Sequence, residues 1–200
     1  MSSETRELRE PTVGTTGNDF AIVPISGVVI AGAYVVALVV ALLTNTQWAV
    51  DFFHVVSGAL WTGIDLFVGF VIGPIIGRLS VSARREFSIR FMPKMVVIMP
   101  ALVVATLAAG FQLARQHGFI LSTWPHHAWV VASFVVVGVL TVIAIGVLEP
   151  ANLAVLFELR KPTPNGELVE KLMKRFIYTA GITGAMQVAT LVIMTRLATL

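Results

Sequence analysis

Residues 127–148 read HAWVVASFVVVGVLTVIAIGVL, and this run contains no Asp, Glu, Lys or Arg. A helix needs about 20 mostly apolar residues to cross a bilayer, so the run predicts a membrane-spanning helix. Four other runs are similarly long and mostly apolar, at residues 20–43, 50–76, 92–114 and 176–197. None alternates polar and apolar residues as the strands of a membrane barrel do, and lipid leaves open backbone groups unsatisfied. The sequence therefore predicts an all-α integral membrane protein with five transmembrane helices.

The overall composition also favours a membrane protein. Of the 200 residues, 56% are hydrophobic and 12% are charged, whereas about 25% are charged in ordinary soluble domains. One soluble core of this size cannot bury so much apolar surface, which excludes a soluble enzyme, a nucleic-acid-binding domain and a disordered chain. The sequence has no cysteine, which excludes disulfides, iron–sulfur clusters and thiolate chemistry. It also shows no phosphate-binding glycine loop, no nucleophile elbow and no paired carboxylates.

The positive charges predict the orientation of the chain. Residues 1–19 are polar and predict a flexible cytoplasmic tail, while residues 20–200 form a single transmembrane domain. Cytoplasmic loops carry an excess of Lys and Arg. Twelve of the 14 basic residues lie in the tail or in the connections between spans two and three and between spans four and five: Arg6, Arg9, Arg78, Arg84, Arg85, Arg90, Lys94, Arg160, Lys161, Lys171, Lys174 and Arg175. Only Arg115 and Arg196 lie on the other side. We therefore expect a lipid-embedded protein of the inner or plasma membrane, with a cytoplasmic amino terminus, an outer carboxyl terminus and no nucleic-acid partner.

All four histidines are predicted near the outer ends of the spans: His54, His117, His126 and His127. Two neutral imidazoles on facing helices at one depth suit axial ligation of haem b. We therefore expect His54 to pair with His127 or His126 around a haem iron. The same side chains, together with Asp51, also suit copper or zinc. A third interpretation is that they only anchor helix ends at the membrane surface.

Span two carries a patterned face. Helical spacing places the following residues on one side of it: His54, Gly58, Trp61, Asp65, Gly69 and Gly73. Small residues there admit either a neighbouring helix or a flat macrocycle, so Gly58 and Trp61 are candidate haem-pocket residues. Asp65 lies near the middle of the bilayer, where a charge is costly, and is either the candidate catalytic proton relay or a neutral structural residue. In span five, Thr183 and Gln187 share a face and either line a ligand pocket or hold helices together.

Span two also carries a motif that resembles a known group of small helical membrane proteins. It reads H-x6-W-x-G from His54 through Trp61 to Gly63. This pattern resembles the opening helix of the copper-resistance protein D family and of HemJ-type protoporphyrinogen oxidases. The similarity covers residues 52–148, with span five matching in kind.

The next two spans continue the resemblance. Span three carries Ile-Met-Pro-Ala at residues 98–101, followed by Thr106 and Gly110, and is similar to the matching HemJ helix. Span four opens with Trp-Pro-His-His-Ala-Trp at residues 124–129, which is similar to the Trp-Leu-His opening of the helix that follows in HemJ.

The resemblance implies a four-helix core formed by spans two to five, with span one added at the periphery. It further implies that this core holds haem b with His54 as an axial ligand. HemJ-type proteins carry a lysine shortly after Trp-Leu-His, where this sequence has Ala128 and Trp129. The resemblance therefore implies haem binding without implying protoporphyrinogen oxidation.

Three functional hypotheses follow. The first is a b-type haem membrane protein with a redox or electron-transfer role, whose partner is a quinone or an outer redox protein. A membrane haem oxidoreductase belongs to this class. The second is a copper- or zinc-handling transporter or accessory protein, and the third is a non-catalytic membrane subunit. The sequence leaves open the substrate, the number of haems and whether the chain forms a homo-oligomer.

Overall fold

The computed structural model describes residues 20–199, which form helices and no strands. The five long helices are α1 (Ile25–Thr44), α2 (Gln47–Arg78), α3 (Val81–Gln116), α4 (His126–Leu159) and α5 (Gly166–Thr199). Each is long and apolar enough to cross a membrane. The predicted all-α fold is confirmed for the described residues, as is the prediction of five helices long and apolar enough to span a membrane. The predicted tail, residues 1–19, lies outside the described residues.

Helices α2 to α5 extend beyond the apolar runs that predict them, to between 32 and 36 residues each. We call the end of the molecule where α2 meets α3 and α4 meets α5 the basic end. There the Ser80 hydroxyl caps α3 by accepting a hydrogen bond from the Ala83 amide at 3.3 Å. The Glu158 carboxylate accepts hydrogen bonds from Lys161 Nζ at 2.6 Å and from the Asn165 amide at 2.9 Å. These contacts stabilise helical structure past the predicted end of span four.

Three helices are irregular within their spans. A π-helical turn, Val68–Ile72, interrupts α2, and another, Ala144–Leu148, interrupts α4. Such turns insert an extra residue into the helical repeat and often occur at functional sites. Helix α3 contains Pro93 and Pro100, each of which removes one backbone hydrogen bond. Both π turns and Pro100 border the cavity described below.

Helix α2 packs between α3 and α5. Helix α4 packs against α5 along its length and against α3 through its segment Glu149–Leu159, whereas α1 packs on α3 and α2. Large apolar side chains point outward, as Val131, Val142 and Ile182 do. Such outward faces are compatible with contact to membrane lipid.

Glycines form the contact between α2 and α5. A Cβ atom on Gly69 would overlap the backbone of Gly181. A Cβ atom on Gly184 would lie 2.8 Å from the Leu66 amide nitrogen, which is closer than real Cβ atoms approach. The two backbones therefore meet through small residues, as is typical of helix pairs in membranes.

Candidate functional site

His54 projects from α2 toward α3, where a glycine makes room for it. Its Nδ1 lies 2.9 Å from the Thr106 carbonyl oxygen. Because a carbonyl only accepts, Nδ1 carries the hydrogen in this contact, and in the neutral ring Nε2 keeps its lone pair. A Cβ atom on Gly110 would lie 2.6 Å from His54 Cε1, so a larger residue at 110 would displace the ring.

The glycine face of α2 is occupied by neighbouring helices. Near its start, a Cβ atom on Gly58 would lie 3.6 Å from the Thr106 methyl group of α3. Farther along, Gly69 meets Gly181, and a Cβ atom on Gly73 would lie 2.5 Å from Ile177 Cγ2 of α5. Of the two interpretations of this stripe, helix packing describes the contacts seen here.

Trp61 lies in the core where three helices meet. It is 3% exposed and packs in one cluster with Leu102 and Val103 of α3 and Leu140 and Ala144 of α4. Its Nε1 is buried and close enough to the Asp65 carboxylate, one turn along α2, to interact with it, although the two do not form a hydrogen bond of full geometry. Trp61 is therefore a core residue here, and its part in a haem pocket stays a prediction.

Two histidines at one end of the molecule share a stack of rings. Phe119 stacks on His117 with ring centroids 5.3 Å apart and on His126 with centroids 6.0 Å apart. The Nδ1 of His117 donates to the Leu113 carbonyl at 3.0 Å, and its Nε2 lies 3.1 Å from Gln47 Nε2. These rings hold the end of α3 against the start of α4. We call the end of the molecule that carries them the histidine end.

His54 lies deeper than the span-four histidines. Trp61 and Leu140 share a cluster and so mark a common depth of α2 and α4. His54 lies seven residues before Trp61, and His127 lies 13 residues before Leu140. At 1.5 Å per residue, His127 and His126 therefore lie about 10 Å nearer the histidine end than His54. In the described part of the chain no hydrogen bond or ring contact joins His54 to either, and their axial pairing stays a prediction.

The structure brings together few side chains that could bind copper or zinc. Asp51 and His117 line one surface depression together with Gln47 and Trp48. Across residues 20–199, however, no three His, Asp or Glu side chains gather in a way that would hold a metal ion.

Asp65 is buried at the contact between α2 and α5. It is 2% exposed, and its Oδ2 accepts hydrogen bonds from Gln187 Nε2 at 2.8 Å and from Thr183 Oγ1 at 3.2 Å. A buried acid is costly without such donors. Thr183 and Gln187 were predicted either to line a pocket or to hold helices together. Their hydrogen bonds to Asp65 join α5 to α2.

A cavity of about 180 Å³ lies beside Asp65 and is lined by α2, α3, α4 and α5. Helix α4 contributes Glu149 and Asn152 to its wall. Asn152 is 1% exposed, and neither its Oδ1 nor its Nδ2 has a partner among the described residues. The structure therefore brings two carboxyl groups and an amide without a partner in residues 20–199 to one cavity between the helices.

Sequence reasoning missed Glu149 and Asn152 because the apolar run of span four ends at Leu148. The expectation of no paired carboxylates also considered only residues close in sequence. One signal was present: Glu149 and Asn152 stand three residues apart, a spacing that puts side chains on one helix face.

Comparison with known proteins found no matching family model, no similar curated protein and no similar solved structure. The resemblance to the HemJ-type and copper-resistance protein D groups therefore remains a hypothesis supported by the motifs of spans two to four.

Proposed function

We propose that this chain is a multi-pass membrane protein that binds haem b through His54 and serves in electron transfer. The observation that carries the proposal is the hydrogen bond from His54 Nδ1 to the Thr106 carbonyl oxygen, at 2.9 Å. Histidines that bind metals usually donate their other ring hydrogen to a carbonyl or carboxylate, which fixes the tautomer and the ring orientation. His54 has this arrangement, and its Nε2 is the nitrogen left to bind iron.

Each nearby residue has a defined part in this proposal. The Thr106 carbonyl orients the imidazole, and the missing side chain of Gly110 leaves room for the ring beside α3. The cluster around Trp61 lies one layer deeper and supplies apolar packing between α2, α3 and α4. Bound haem supplies one-electron chemistry, while the chain supplies the imidazole and an apolar setting.

The described geometry supports one histidine ligand better than two. His126 and His127 lie about 10 Å away from His54 along the helix axes. His126 is also engaged in the ring stack with Phe119. In this proposal His54 alone among the four histidines would hold the haem.

The arrangement in the membrane forms part of the same proposal. We infer that α2 to α5 form a four-helix core with α1 at its side, because these four helices contact one another in sequence and α5 returns to α2. We further infer that the basic end faces the cytoplasm, following the excess of Lys and Arg there. His54 then lies in the outer half, where a quinone or an outer redox protein is the expected electron partner.

The test is the haem content of the full-length protein purified from haem-supplemented cells. We expect a Soret band that shifts on reduction, its loss in His54→Ala, and its retention in the matched variant His127→Ala. An unchanged spectrum in His54→Ala would show that the ligand is another residue.

Elemental analysis of the same preparation separates the alternatives. Iron in proportion to the haem supports the proposal. Copper or zinc without iron would instead favour a metal-handling protein. A colourless, metal-free protein that purifies with other subunits would favour a structural role.

A further inference from the structure

We propose that the cavity beside Asp65 is an intramembrane proton-binding site, in which Asp65 and Glu149 exchange protons through water held at Asn152. The site lies 11 residues along α2 from His54, about 16 Å at the helical rise. It therefore does not depend on haem binding.

Asn152 is the side chain that points to a ligand. It is 1% exposed, lines the cavity, and has an amide oxygen and an amide nitrogen that are both without partners in the described part of the chain. A buried amide left unpaired in both roles is costly. Water satisfies a donor and an acceptor together, and about 180 Å³ has room for several water molecules.

The charges around the cavity favour a proton as the ion bound there. Among the described lining residues, Asp65 of α2 and Glu149 of α4 are the two titratable groups. Helix α3 contributes Met95, Met99, Pro100 and Val103 to the wall, and α5 contributes Phe176. None of these can neutralise a carboxylate. Asp65 is buried and Glu149 is partly buried, and a carboxylate without a positive partner in such a setting is costly. A proton is the smallest positive charge that removes this cost.

The hydrogen bonds of Asp65 fit a protonated acid. The single hydroxyl hydrogen of Thr183 has three acceptors in reach: Thr179 O at 3.0 Å, Ala180 O at 2.9 Å and Asp65 Oδ2 at 3.2 Å. One hydrogen cannot serve all three. If Asp65 carries a proton on Oδ2, that O–H donates to the Thr183 oxygen, Thr183 donates to its own backbone instead, and Oδ2 still accepts from Gln187 Nε2 through a lone pair.

The backbone around the cavity is irregular on three sides. The π turn Val68–Ile72 begins three residues after Asp65, and the π turn Ala144–Leu148 ends directly before Glu149. Pro100 of α3 lies on the wall between them. Irregular backbone at membrane depth is tolerated where it is buried in protein or lines a water-filled cavity. This coincidence independently favours a hydrated site.

The test is an infrared pH titration of the full-length protein in lipid nanodiscs, which records the C=O stretching bands of protonated carboxylic acids. We expect such bands at neutral pH, with one component lost in Asp65→Asn and another lost in Glu149→Gln. The matched control Glu167→Gln removes an exposed glutamate and should leave these bands unchanged. We also expect the bands to shift in D₂O, and this shift to be lost or slowed in Asn152→Leu.

Glu149→Gln carries the test even where Asp65→Asn fails to fold, because the Glu149 side chain makes no hydrogen bond or ion pair in the described part of the chain. The proposal is overturned if Glu149→Gln loses no band that Glu167→Gln keeps. It is also overturned if adding Na⁺, K⁺ or Mg²⁺ at constant pH abolishes the bands, since the site would then hold a metal cation.

Discussion

The seat of His54 and the cavity beside Asp65 differ in how they are built. His54 depends on one neighbouring helix, through the Thr106 carbonyl and the space at Gly110. The cavity is walled by four helices and contains polar atoms of Asn152 that have no partner among residues 20–199. The first site offers one nitrogen, His54 Nε2, on an imidazole oriented by its other nitrogen. The second is a cavity whose Asn152 amide has hydrogen-bonding groups that water or an ion could satisfy. Glycine substitutions can perturb the two regions separately, because Gly110 contacts His54 whereas Gly69 contacts α5.

The largest effect is expected at the contact between α2 and α5. Gly69→Leu places a side chain where the backbone of Gly181 lies, and the helices must separate to accept it. We expect loss of monodisperse protein in size-exclusion chromatography. Gly63→Leu on the same helix is the matched control, because a Cβ atom there meets nothing within 4 Å. Equal behaviour of the two variants would contradict the packing described here.

The next largest effect is expected on the position of the His54 ring, without an effect on the fold. Gly110→Ala places a methyl group 2.6 Å from His54 Cε1, so the ring must move and its bond to Thr106 must weaken. We expect reduced haem content with the fold retained, measured as the Soret-to-protein absorbance ratio. Gly58→Ala, whose methyl group would sit at an ordinary 3.6 Å from Thr106, should change this ratio little. A larger loss in Gly58→Ala would place the haem against Gly58 instead.

A smaller effect on stability is expected at Asp65. Asp65→Ala leaves Gln187 Nε2 without its acceptor in a buried setting, which costs about 1–3 kcal/mol. Asp65→Asn keeps a carbonyl oxygen at this position and should cost less. Thermal unfolding in detergent should therefore rank the melting temperatures as wild type, then Asn, then Ala. An Ala variant as stable as the Asn variant would argue against a structural part for these hydrogen bonds.

The smallest effect is expected at the basic end. Glu170 pairs with Arg84 at 3.2 Å and with Lys174 at 2.7 Å; the Glu170 side chain is 42% exposed and that of Arg84 is 16% exposed. Ion pairs with an exposed partner contribute about 0–1 kcal/mol and are screened by salt. Glu170→Gln should lower the unfolding temperature slightly at low salt and not at high salt. A large, salt-independent loss would mean that the basic end contributes more to stability than its ion pairs indicate.

The five spans could be predicted because a long apolar segment in lipid must form a helix, in which its backbone groups hydrogen-bond to one another. Their ends could not, because α4 continues through Glu149 to Leu159 on contacts with α3 and α5 that hydropathy does not report. For the same reason Glu149 and Asn152 were missed, although they line the same cavity as Asp65, the acid that stood out because it lies inside an apolar run.

The histidines show a similar limit. The sequence placed all four near the ends of the predicted spans, which suggested that they lie at one depth along the helices. The helix register places His54 about 10 Å deeper than His127, and only the structure supplies Thr106 and Gly110 as neighbours of the ring. Spacing also left the glycine stripe of α2 open to two interpretations, since a helix and a macrocycle both need small residues.

The central claim is that the Nε2 of His54 binds haem iron. Its most direct test is titration of haem into purified His54→Gly protein, with and without added imidazole, beside the wild type. The claim predicts that the variant fails to form the wild-type spectrum and that imidazole, filling the space of the lost ring, restores it. If the variant forms the wild-type spectrum without imidazole, the iron takes its ligand elsewhere and the claim is wrong.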